Sequence, residues 1–151
     1  MKRCVNKTWW LSRLFALAVA STVAAAQPPA SSQEFVVELP AGIAAARSVV
    51  LVLNDVRLPK SAAVVLRARL AESTPEVPLG SLGVMAESKS AEGMKTHAAL
   101  RLDITKPLLR WWQDHPDASN VRIRVVPYAG KDPLTSLDWS AASAALTLDA
   151  R

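Results

Sequence analysis

Apolar and polar residues alternate with a period of two along much of this chain, the pattern of strands with one dry face and one wet face. Val64, Leu66, Ala68 and Leu70 share a side while Arg67 and Arg69 take the other. Ala98, Leu100, Leu102 and Ile104 oppose His97, Arg101 and Asp103, and Val121, Ile123 and Val125 oppose Arg122 and Arg124. Residues 35–39 read as an opening strand, 49–53 as a central strand apolar on both faces, and 144–148 as a closing strand; a further strand-like apolar run ends at Met85. Turn material falls at Asn54-Asp55, Leu58-Pro59-Lys60, Ser73-Thr74-Pro75, Ser90-Ala91-Glu92-Gly93 and 128–133. About seven strands separated by such turns predict an all-β fold, an antiparallel β-sandwich.

One segment departs from that period. Thr105 is placed to cap a helix, Pro107 is tolerated in a first turn, and Leu108, Leu109 and Trp112 recur at helical spacing before His115-Pro116 ends the run. A short helix over 106–114 is expected, acting as a lid on one end of the sandwich.

The first 26 residues change the meaning of the overall charge. Lys2, Arg3, Lys7 and Arg13 precede an apolar run at 14–26, and Ala24-Ala25-Ala26 is a small-residue cleavage pattern before Gln27. That run has 13 residues, short of the roughly 20 a membrane-spanning helix needs. It reads as a signal peptide cut between Ala26 and Gln27, with no stable membrane anchor afterwards. A flexible, proline-bearing leader at 27–33 and a single domain at 34–151 follow. Without the four signal-region cations, 14 Lys and Arg face 13 Asp and Glu, so the basic balance belongs to targeting. No nucleic-acid partner is expected, since none of the required basic excess remains. The single cysteine, Cys4, precedes the apolar run; a cysteine-free exported domain fits a periplasmic or secreted location better than a disulfide scaffold.

No Gly-x-Ser-x-Gly elbow, His-Glu-x-x-His pair or phosphate-cradling glycine loop occurs, so neither an enzyme nor a cofactor is expected. His97 and His115, with Met85 and Met94, define an alternative, a small periplasmic copper carrier, although metal sites need several convergent ligands. Trp111 and Trp112 are candidate partner-binding residues: if Trp112 packs inward with Leu108, helical geometry turns Trp111 outward. Arg67 and Arg69, with Arg122 and Arg124, are candidates for a basic sheet face that meets an acidic partner. Trp111 or Trp139 would serve as the platform of a third reading, an envelope adhesion or carbohydrate-binding sandwich.

From Leu51 to Pro127 the order of segments resembles the C-terminal domain of plant-type polyphenol oxidases and tyrosinases, the one with a Lys-Phe-Asp-Val signature. The matching stretches are 51–58, 63–70, 79–84, 100–105 running into a short helix, and 121–127. The Gly80-Ser81 pair, the Leu100-Arg101-Leu102 strand and the strand ending in Val125-Val126-Pro127 carry the likeness. The signature itself is replaced by Val64-Val65-Leu66-Arg67, and Glu87 stands where the family has a histidine. The resemblance implies a β-sandwich without catalysis that covers a binuclear copper site. For a separate exported chain, it implies a tyrosinase-like copper oxidase as partner, bound, shielded or helped to mature in trans.

Overall fold

The computed structural model describes residues 31–149; the expected signal peptide, its cleavage point at Ala26 and Gln27, and most of the leader lie outside them. Among the described residues eight strands form two antiparallel sheets. In one sheet, β1 (Gln33–Glu38), β6 (Asn120–Ala129), β3 (Val64–Leu70) and β4 (Val77–Val84) lie in that order, with the two-residue β7 (Asp132–Pro133) added to the end of β6. In the other, β5 (Met94–Asp103) and β8 (Ser143–Asp149) flank β2 (Ser48–Pro59). A 3-10 turn at Ile43–Ala45 joins β1 to β2, and α1 (Thr105–Asp114) carries the chain from β5 in one sheet toward β6 in the other. The fold is the expected all-β sandwich with one short helix.

Alternation places the core. Val64, Leu66 and Leu70 of β3 and Val121, Ile123 and Val125 of β6 face Val49, Leu51, Val56 and Leu58 of β2, all essentially without solvent exposure. Two inner faces that interdigitate in this way are the usual solution for paired amphipathic sheets. Ile104, Leu108 and Trp111 add the buried stripe of α1, which touches β2, β4 and the 3-10 turn.

β2 passes through the Asn54-Asp55 position where a turn is predicted. Asp55 adopts a positive φ of 50°, a conformation that Asp tolerates better than most residues. Pairing to β5 continues beyond it to Pro59, and β8 pairs as far as Asn54. The inward parity shifts across Asp55, so that Leu53 and Val56 are both buried. The same shift reaches β5. His97 pairs with Val56 and is half-buried, and Ala98, expected on the dry side, is exposed. The expected turn at 128–133 contracts to Gly130 and Lys131, with Ala129 paired to Asp132 across them and Gly130 at φ 64°.

The end of the expected leader is anchored rather than free. Ser31 is buried; its carbonyl accepts the indole N–H of Trp139 and its hydroxyl donates to the Leu134 carbonyl. Gln33 donates to the Trp139 carbonyl at 3.0 Å and accepts the Ala141 N–H at 3.0 Å. Polar residues at 31–33 mimic a linker in sequence, but here they satisfy backbone groups of the segment before β8.

Candidate functional site

Two surfaces bring the singled-out residues together. One lies at the α1 end. Thr105 opens the helix, but its hydroxyl does not cap it. That hydroxyl accepts the Val49 N–H at 2.8 Å and donates to Asp103 at 2.6 Å, joining the helix start to the start of β2. Asp103 also accepts the Thr105 N–H at 2.9 Å, so the carboxylate rather than the threonine serves the first turn. These bonds to the charged form hold the Asp103 carboxyl below the ordinary carboxylate range, with nearby Lys106 adding to the effect.

Asp103 is therefore expected to contribute stability above its unfolded-state value near pH 4 and to lose it as pH falls through its lower folded-state value. Glu87, drawn down by its ion pair with Lys95, works in the same direction. Asp103→Ala should cost about 1 kcal/mol at pH 7 and flatten the acid limb of stability. Urea titrations at several pH values between neutrality and pH 3 check this; an acid limb unchanged in the variant rules it out.

Within α1 the expected phase is reversed. Leu108 and Trp111 are the buried pair, while Trp112 is half-buried at the margin of the core. Both arrangements are helical spacings, i to i+3 against i to i+4; the position of β4 beside the helix selects the first. Trp111 is thus no free anchor. Its indole stacks on the His115 ring, centroids 4.5 Å apart and planes 13° from parallel. His115 Nδ1 lies 2.9 Å from the Trp111 carbonyl; because a carbonyl only accepts, that nitrogen carries the hydrogen. Beside the stack runs a groove of about 610 Å³ along Val77, Pro107, Trp111 and His115, with Lys106, Arg110 and Asp114 also lining it.

The other surface is the outer face of the β1–β6–β3–β4 sheet. Arg67 and Arg69 project from β3 onto Tyr128 of β6. The Arg67 guanidinium lies 4.0 Å from the ring centroid and donates to the Gly130 carbonyl at 3.1 Å. Arg69 donates to the Tyr128 hydroxyl at 3.0 Å, its guanidinium 5.9 Å from the centroid. Arg124 pairs with Glu34 and Glu76, Arg122 with Glu34 at 3.3 Å, and Arg69 approaches Glu76 at 3.9 Å. Sequence reading grouped the four arginines but missed Tyr128, although continuing the parity of Arg122 and Arg124 along β6 points to it.

The remaining candidates do not converge. Met85 is 83% exposed, His115 is committed to Trp111, and His97 sits opposite Val56. Among the described residues no three His, Cys, Asp or Glu side chains gather as a metal site, and no helix is long and apolar enough to cross a membrane. Trp139, offered as a ligand platform by sequence, is instead buried in the core with its indole N–H donated to the Ser31 carbonyl. No protein-family model matches the chain, and no curated protein has significant sequence similarity to it.

Proposed function

We propose that this chain is a non-enzymatic, exported accessory domain that binds a tyrosinase-like type 3 copper oxidase in trans and shields it or assists its maturation. The observation that carries this reading is the placement of the five resembling segments. Residues 51–58 fall within β2, 63–70 cover β3, 79–84 lie in β4, 100–105 run from β5 into α1, and 121–127 lie in β6. The resembling stretches are thus strands of both sheets and the start of α1. A sandwich scaffold by itself serves many ends, so the partner is inferred from the resemblance.

In this reading the exposed rim of the α1 end, with the Trp111 groove and half-buried Trp112 on the same helix, is the contact surface. Aromatic side chains next to cationic ones are the composition that carries binding energy at interfaces. The test is a pull-down of the tagged full chain from its own host, with mass spectrometry and metal analysis of what accompanies it. The expected result is a histidine-rich copper oxidase whose copper loading or turnover changes when the chain is added to it. A purified oxidase of this class that loads copper and turns over identically with and without the chain overturns the proposal.

A further inference from the structure

The four arginines on the outer sheet face are not equivalent. Arg122, Arg124 and Arg69 share two carboxylates, Glu34 and Glu76, with Arg69 at the longest separation of 3.9 Å. Arg67 has no carboxylate partner among the described residues, only the Tyr128 ring and the Gly130 carbonyl. Positive charge therefore exceeds negative charge within this cluster, and the excess lies at the β3 end of it.

That excess is also held in place. A guanidinium stacked on an aromatic face and tied to a carbonyl has already given up much of the side-chain freedom that ligand binding would otherwise cost. Arg67 takes the face of Tyr128 and Arg69 its hydroxyl end, so the one ring keeps the two cations at separate stations. Beyond them toward β4 is a cleft of about 310 Å³, floored by Ala68, Gly80 and Ser81 and bounded by Val65 and Pro78. Ser81 pairs directly with Arg67 and lines the same cleft.

We propose that the cleft beside Arg67 and Arg69, whose guanidinium groups Tyr128 holds from the other side of β3, is a recognition site for an extended acidic peptide segment with carboxylates at alternate positions. Side chains two residues apart on a strand are separated by roughly 6.4–6.8 Å. The two arginines branch from β3 with that relation, as do alternate side chains of any extended segment laid along it, and their guanidinium groups lie 4.0 and 5.9 Å from the centre of the Tyr128 ring. Each guanidinium still has N–H donors to offer a carboxylate in the paired geometry arginine favours. The site is distinct from the α1 rim, so it stands whether or not the partner is a copper oxidase.

The experiment is a fluorescence-anisotropy titration of the purified chain against a labelled pentapeptide with glutamate at positions one, three and five and threonine between. A matched glutamine peptide and inorganic phosphate serve as competitors. The expected result is saturable binding that weakens as salt rises, is lost for the glutamine peptide, and falls at least about tenfold in Arg67→Gln. Arg101→Gln, on the opposite sheet, should bind like the parent and controls for net charge. Circular dichroism confirms that each variant is folded; should Arg67→Gln unfold, Arg67→Lys, which keeps the charge but not the paired donors, takes its place with a smaller loss expected. The absence of saturable binding, equal binding by the Arg67 and parent chains, or displacement by phosphate as effective as by the acidic peptide overturns the proposal.

Discussion

Leu108→Ala is expected to lower the free energy of unfolding by about 3 kcal/mol. Leu108 is fully buried, on the stripe of α1 that also carries Trp111, and it packs in the one core cluster of the described residues. Truncation removes apolar burial and leaves a void, since the helix is tied at its start by the Thr105 hydroxyl to Val49 and Asp103 and cannot settle inward freely. Because Trp111 lies on the same stripe and floors the groove, local loosening should appear there too. Urea unfolding followed by tryptophan fluorescence measures the loss; Leu109→Ala, at a half-buried position, should cost clearly less. A loss for Leu108→Ala no larger than that of Leu109→Ala would mean that α1 is not an integral wall of the core.

Gly80→Val should be the other large effect, about 1–3 kcal/mol, and it tests how the two sheets meet. A Cβ at Gly80 would stand 3.1 Å from Leu102 Cδ1 and 3.4 Å from the Asp103 carbonyl oxygen. Leu102 ends in a flexible side chain that can yield a few tenths of an ångström, so Gly80→Ala should be milder. The branched side chain of valine also meets the backbone of β5, which cannot move without disturbing Asp103 and the start of α1. Adding Leu102→Ala to Gly80→Val should recover part of the loss, a non-additivity expected only for residues in contact. Thermal melts of the two single variants and the double variant settle the matter; strict additivity would show that the β4–β5 approach is not close.

The same two positions show how far reading the chain could go. Leu108 is legible as an inward residue of a helix because its spacing is local. Gly80 is legible only as a small residue, since what makes it matter is Leu102 arriving from the other sheet. The candidate site divides in the same way. Arg67 and Arg69 are recognisable as outward residues of β3 from their alternation, whereas the Tyr128 ring that clamps them arrives by pairing across β3 and β6, 59 residues from Arg69 along the chain.

Trp111 and Trp112 mark the limit most clearly. Both lie on a helix whose first turn and stop are legible from Pro107 and His115-Pro116, and an isolated helix has no reason to prefer one over the other as its inward face. Trp139 and Ser31 behave similarly: each looks like exposed loop material, and each is buried because the other is there.

The sequence by itself determined the period-two strands, the interruption by one helix, and hence a two-layer all-β protein, because those signals depend on neighbours two to four residues apart. Only the tertiary structure decided which tryptophan faces the core, that β2 runs through Asp55 without turning, and which of the four sheet-face arginines has no carboxylate partner among the described residues. Those outcomes depend on contacts between segments distant along the chain, where burial and hydrogen-bond satisfaction across the two sheets outweigh local preference.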